Sequence, residues 1–203
     1  MTGARPLAAV VPAAGRSHRM GREKVFLPFG GSTFLEAILR TLGSEGVRDV
    51  AVVLRPDLGE AAAMARDSGA GVLFNPDPDA DMAESIRIGL DAVSPSAQAI
   101  FIWPADHPAV ARATIAALSA AGSEADIWIP TWKQRRGHPA LLGRSHVPGV
   151  FALRPGEGLR ELWHGRGESV RELAVPDSGV IANIDTPEQY EAALRDFPGR
   201  GAP

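Results

Sequence analysis

Through the first 132 residues, apolar runs of strand length alternate with stretches whose apolar residues recur at helical spacing. Leu7–Pro12 is a continuous apolar run. Thr33–Gly46 follows, with Phe34, Leu35, Ile38, Leu39 and Leu42 on one helical face and glycines at its end. The alternation then repeats. Asp49–Pro56 reads as a strand, Asp57–Gly71 as an Ala-rich helix, and Gly71–Pro76 as a short strand. Asp81–Val93 reads as a helix, Ala97–Pro108 as a strand, Ala111–Gly122 as a helix, and Ala125–Trp132 as a strand. Strand–helix–strand units build a mostly parallel sheet with helices on both faces. The strands are apolar at consecutive positions, as a sheet covered on both sides requires. The expected fold class is α/β, three layers in the order α/β/α.

The pattern changes after Trp132. Lys133–Glu168 is rich in Gly, Pro and Arg, with short helical pieces, and is expected as an elaboration packed on the carboxyl edge of the sheet. Strand-like Ser169–Pro176 and Gly179–Asp185 follow, then a helix over Thr186–Phe197 and a frayed tail. No repeat or long linker divides the chain, so one domain spanning 1–203 is expected. A net charge of -3 argues against a nucleic-acid partner. The chain has no cysteine, which excludes disulfides, thiolate metal sites and a cysteine nucleophile. No apolar stretch approaches the roughly 20 residues that span a bilayer, and the short run at Leu7 reads as a buried strand, not a leader. A soluble cytoplasmic protein with no membrane partner is expected.

Charge is concentrated in "AAGRSHRMGREK", Ala13–Lys24, directly after the first strand. Arg16, Arg19, Arg22 and Lys24 stand there among Gly15 and Gly21. In open parallel sheets, ligands bind beyond the carboxyl ends of the strands. Small residues let a ligand approach the backbone, and Arg and Lys supply charge for phosphate oxygens. The spacing fits neither G-x-x-x-x-G-K-[ST] nor G-x-G-x-x-G, which excludes a P-loop and a dinucleotide fingerprint. Alone, the loop also admits the reading of a solvated basic turn.

The same loop resembles the A-[AG]-G-x-S-x-R-M-G-x-x-K signature of nucleotidyltransferases with a GT-A-like, Rossmann-like fold. "LPFGG" after Lys24 is similar to the molybdenum cofactor cytidylyltransferase branch of the MobA-like NTP transferases. "WPADHPAV", "GHPALLGRSHVPGVFALRPGEGLREL" and "ANIDTPEQYE" resemble further motifs of that family in order, so the likeness covers about 180 residues. It implies transfer of a nucleoside monophosphate, CMP in first place, from a triphosphate to a phosphorylated acceptor, with release of pyrophosphate. The acceptor it implies is molybdopterin or the molybdenum cofactor, and a molybdenum hydroxylase is an implied recipient of the product. Residues 1–132 would form the nucleotide-binding half, and 133–203 the acceptor-site elaboration with the last strands and helix. Transfer to a sugar phosphate or a phospholactate-like compound stays open, as does a non-catalytic protein that binds the cofactor. "VVPAAG" also resembles the methylerythritol phosphate cytidylyltransferases, whose H-D-A-x-R is absent here.

Roles follow from that resemblance. Arg19, Lys24 and Asp106 would be catalytic. Ala13, Ala14, Gly15, Arg16, Ser17, Gly21, Asn75 and Ser85 would bind the nucleotide, with Ala13 and Ala14 at the edge of the base. Asp106 and Asp185 would hold Mg²⁺, which suits one or two carboxylates plus phosphate oxygens. Read without the resemblance, Asp185 in "DTPE" is an ordinary helix cap and Asp106 a turn residue. His138 and Arg136 would bind the acceptor, within a segment that also offers Arg135, Arg144 and Arg154. His107 is not expected to ligate the metal, and His18, His146 and His164 have no assigned role. Asp81 stands where the family has Gly, which places an acidic group near the nucleotide pocket.

Overall fold

The computed structural model describes residues 5–17, 19–77, 81–121, 126–165 and 169–199. His18 and the final residues 200–203 lie outside that set. Among the described residues the strands are β1 (Leu7–Pro12), β2 (Pro28–Phe29), β3 (Ser32–Thr33), β4 (Asp49–Leu54), β5 (Gly71–Phe74), β6 (Ala99–Ile102), β7 (Ile127–Trp132), β8 (Arg135–Arg136), β9 (Ala140–Gly143) and β10 (Val170–Ala174). The helices are α1 (Phe34–Ser44), α2 (Gly59–Asp67), α3 (Met82–Ala92), α4 (Arg112–Ala121), α5 (Val147–Phe151), α6 (Leu159–Gly165) and α7 (Pro187–Asp196).

The main sheet runs β10-β7-β9-β6-β1-β4-β5, with β8 beside β7; β2 and β3 form a separate hairpin. β1 is parallel to both β4 and β6, and β5 and β10 are parallel to their neighbours β4 and β7. The expected α/β architecture with a mostly parallel sheet is present. Alternate strand residues serve two cores. Ala9, Val11, Val52 and Phe101 face α1, α2 and α4, whereas Ala8, Val10, Ile100 and Ile102 face α3, α5 and α6. Ala8 to Val11 are all fully buried, which is why β1 tolerates no polar side chain on either face.

Two segments depart from the sequence expectation. Ala140–Gly143, read as part of an elaboration outside the sheet, is a strand inside it. It lies antiparallel between β6 and β7. Gly179–Asp185, read as a strand, is instead a 3-10 turn over Ser178–Ile181 followed by irregular chain. The Asp177 side chain accepts from Gly179 N at 3.0 Å, and this local bond draws the backbone into a turn in place of a ladder.

A third, smaller core fixes the rim of the sheet. Met20, Leu27, Phe29, Phe34, Ala109, Ile184 and Ala193 are buried together, with Tyr190 against them. Tyr190 Oη donates to Pro28 O at 2.7 Å, which ties α7 to the β2–β3 hairpin. α1 and α7 both begin with capping boxes, Thr33 with Glu36 and Thr186 with Gln189. No helix among the described residues is long and apolar enough to cross a membrane.

The turn at Ser178–Ile181 meets the chain entering β9 closely. Gly137 N donates to Pro130 O and His138 N to Val180 O, each at 2.8 Å. A Cβ on Gly137 would lie 2.2 Å from the Val180 carbonyl oxygen, a backbone atom that cannot swing aside. Gly137→Ala is therefore expected to destabilise the fold by about 1–3 kcal/mol. Thermal unfolding checks this, and an unchanged melting temperature would refute the close approach.

Candidate active site

β1 lies between β4 and β6, so chain connections leave it in opposite directions and a crevice opens beyond its carboxyl end. A cleft of about 280 Å³ occupies that place. Pro12, Ala13, Ala14 and Gly15 line one side, Pro104, Ala105 and Asp106 another, and Asn75, Asp81 and Ser85 a third. Arg16, Ser17, Glu23 and Asn75 are shared with an open outer recess that also holds Gly21, Arg22, Arg55 and Asp57. The predicted nucleotide residues thus lie together along one continuous groove.

The loop is shaped by its own hydrogen bonds. Ser17 O accepts from Met20 N at 3.0 Å and Gly21 N at 3.2 Å, and Ser17 Oγ accepts from Lys24 N at 3.1 Å. Gly21 turns the chain at φ +68°, a conformation that disfavours a side chain. Burial of Met20 in the third core presses the loop inward between Arg19 and Gly21. Ala13 N–H is already committed to Val53 O at 2.8 Å, so only the carbonyl of Ala13 is open to a ligand. Asn75 and Ser85 are both buried, with Asn75 Nδ2 donating to Ser85 Oγ at 3.1 Å.

Asp106 and Asp185 come together although 79 positions separate them. Ile184 N donates to Asp106 O at 2.9 Å, which pins the two segments side by side. Lys24 Nζ ion-pairs with Asp185 Oδ1 and lies 4.0 Å from Asp106 Oδ2. Arg19 Nη2 donates to Asp185 Oδ2 at 2.7 Å, as does Asn183 Nδ2 at 3.1 Å. Thr186, not Asp185, caps α7, which leaves the Asp185 carboxylate directed at the basic loop. Burial alone would raise the Asp106 carboxyl. The hydrogen bond from His107, with the charges of His107 and Lys24, outweighs it and holds the group below the usual carboxylate range.

Asp106 also leads to the second predicted subsite. His107 Nδ1 is 2.7 Å from Asp106 Oδ1, its carbonyl accepts from Trp103 Nε1 at 3.0 Å, and its ring meets His138 edge-on at 4.7 Å. His138 and Arg136 line a separate cavity of about 350 Å³ with Arg160, Trp163 and His164. His138 thus touches the Asp106 side of the nucleotide cleft only through His107, while Arg136, in the same separate cavity, pairs with Glu172 at 2.7 Å. Asp81 lines the nucleotide cleft as expected, but its carboxylate is engaged: it caps α3 through Glu84 N and accepts from Gly156 N at 3.0 Å.

Arg55, Glu23 and Asp57 belong to the site, yet no motif marks them. Arg55 is one of 21 basic residues and stands singly at a strand end. The one available signal is a charged residue directly after a buried strand, at the edge where ligands bind.

Burial, reinforced by His107, pushes His138 down from 6.5 to about 4. The unfolded chain then takes up a proton below about pH 6.5 that the folded protein refuses until about pH 4. Stability is present above that window and lost as pH falls through it. Melting temperature measured from pH 7 to pH 4 should fall, with a shallower fall in His138→Gln. Equal slopes in the two proteins would refute this.

Comparison with known proteins bears on the family and the fold. The family model for the MobA-like NTP transferase domain matches residues 9–171. Molybdenum cofactor guanylyltransferase of Xanthomonas euvesicatoria pv. vesicatoria (strain 85-10) is 32% identical over 203 residues, covering 98% of this chain and 100% of that one. Purine catabolism protein PucB of Bacillus subtilis (strain 168) is 28% identical over 198 residues, covering 93% and 96%. The solved structure of Rv0371c from Mycobacterium tuberculosis H37Rv superposes with a TM-score of 0.80 at 31% identity, covering 95% and 99%. A manganese complex of that mycobacterial protein superposes at 0.76 with 30% identity, covering 93% and 98%. With a family match over most of its length and a cleft at the switch point of its sheet, this chain belongs to the MobA-like NTP transferase domain family and is a nucleotidyltransferase.

Proposed function

We propose that the protein transfers CMP from CTP to a phosphorylated acceptor of the molybdopterin type and releases pyrophosphate. The observation that carries this reading is the convergence of Lys24 on both Asp106 and Asp185 at the mouth of a cleft floored by small residues. An acceptor phosphate oxygen attacks the α-phosphorus, the bond to the bridging α–β oxygen breaks, and pyrophosphate leaves with that oxygen. No covalent enzyme intermediate is required. Such reactions depend chiefly on positioning and charge neutralisation.

Phosphate oxygens compete with Asp185 for Arg19 and Lys24, which then hold the charge that develops on the triphosphate. Asp106 and Asp185 would hold Mg²⁺. The donor set fits: both side chains offer carboxylate oxygens, and they meet at one rim around Lys24. Phosphates and water complete such a shell. The ion supplies charge neutralisation at the reacting phosphates. The Ala13 carbonyl and Ala14 N–H offer an acceptor and a donor to the base, which suits the N4 amino group and N3 of cytosine. Gly15, Arg16, Ser17 and Gly21 would follow the phosphates, and Asn75 and Ser85 the nucleoside. His138 and Arg136 would meet the acceptor, with a molybdenum hydroxylase as recipient of the product. The name of the Xanthomonas relative favours GTP as the second donor to test.

A thermal-shift screen of CTP, GTP, ATP and UTP with Mg²⁺ should show stabilisation, greatest with CTP. Pyrophosphate release should require a molybdopterin-type acceptor, with a sugar phosphate as the control. Asp106→Asn should lower turnover by about 10²-fold or more while keeping the nucleotide-induced shift. No shift with any triphosphate, or turnover only with the sugar phosphate, would overturn the corresponding part of the reading.

A further inference from the structure

Arg55 follows β4 and is 7% exposed. Four of the five N–H bonds of its guanidinium are engaged. Nε and Nη2 hold the two oxygens of Asp57 at 3.0 and 3.2 Å, Nη2 also reaches Glu23 Oε1 at 2.7 Å, and Nη1 donates to Gly15 O at 3.1 Å. Gly15 and Glu23 flank the part of the basic loop that carries Arg16, Arg19 and Arg22. One rigid planar group, oriented by Asp57, thus bridges the loop at its base. A lysine has neither the fork geometry nor the donors to do so.

Two consequences bear on anion binding. The Gly15–Arg16 peptide is planar and trans, so its C=O and N–H point in opposite directions. By drawing Gly15 O toward itself, Arg55 directs Arg16 N–H away and keeps the carbonyl oxygen from turning toward a bound anion. Glu23 lines the cleft next to Lys24. A carboxylate left unpaired there would repel a polyphosphate, and Arg55 neutralises it.

We propose that Arg55 is a positioning residue for the polyphosphate: held by Asp57, it clamps Gly15 and Glu23 so that the backbone and cations of the loop are preset for a ligand with several phosphates. The proposal rests on the triphosphate reading above. It predicts a loss that grows with the number of phosphates, which general destabilisation would not produce.

The experiment compares wild type with Arg55→Met and Arg55→Lys, each as the full chain. It measures dissociation constants for Mg–CTP and CMP, and amide hydrogen exchange at Met20, Gly21 and Lys24, whose N–H groups bond to Ser17. Both variants should bind CTP at least about tenfold more weakly while CMP affinity changes less than about threefold. Loop exchange should accelerate while β1 and β6 amides stay protected. Equal losses for CTP and CMP, or wild-type CTP affinity in Arg55→Lys, would overturn the proposal. Should Arg55→Met fail to fold, Asp57→Asn, which frees the guanidinium without removing it, takes its place with the same expected pattern. If wild type binds none of CTP, GTP, ATP and UTP, the proposed function fails. Loop exchange then decides the clamp separately, and unchanged exchange in the variants overturns it as well.

Discussion

The carboxyl end of β1 organises the molecule. β1 is hydrogen-bonded in parallel to β4 on one side and β6 on the other, so three strand ends deliver chain to one rim. Ala13 N continues the β4 ladder to Val53 O, and Ala105 N reaches back to Pro12 O at 3.4 Å. The residues that could touch a ligand are therefore extensions of a buried framework. Tightly packed interiors leave such extensions little freedom, which gives a short loop a definite shape without bulky residues of its own.

Charge at this rim is arranged in opposed sets. Arg19 and Lys24 face Asp185, and Lys24 also approaches Asp106, while Arg55 faces Glu23 and Asp57. Clustered cations on one loop would repel one another, and each carboxylate relieves part of that repulsion. The two sets differ in exposure. Arg55 is buried, with four of its five N–H bonds engaged, as suits a structural clamp. The Arg19 side chain is 70% exposed, so exchanging its partner for a phosphate requires no opening of the core.

Much of the fold was legible because β1, β4 and β6 are too apolar to lie anywhere but in the centre of a sheet. Helix starts were equally plain at Thr33 and Thr186, where the helical patterns begin and where the structure caps α1 and α7. Ala140–Gly143 was not legible as a strand, since three apolar residues among Gly, Pro and Arg carry no period. Their place between β6 and β7 is decided by partners distant in sequence. Gly179–Asp185 misled in the other direction, because an apolar run cannot reveal that Asp177 will bond to Gly179 N. In the site, Lys24, Asp106 and Asp185 stood out through their motifs. Arg55 did not, because its importance comes from three partners at positions 15, 23 and 57 that only folding brings together.

The small core of Met20, Ile184, Ala193 and their neighbours joins the basic loop to the last helix. Arg19 and Asp185 are 166 positions apart in the chain. Closing so long a loop is entropically costly and is repaid only when both ends have surfaces to bury. During synthesis, the N-terminal strands can pair well before α7 emerges, but the carboxylate that faces Lys24 cannot be in place until it does. A growing chain thus has the central strands of its sheet long before Arg19 and Lys24 meet Asp185.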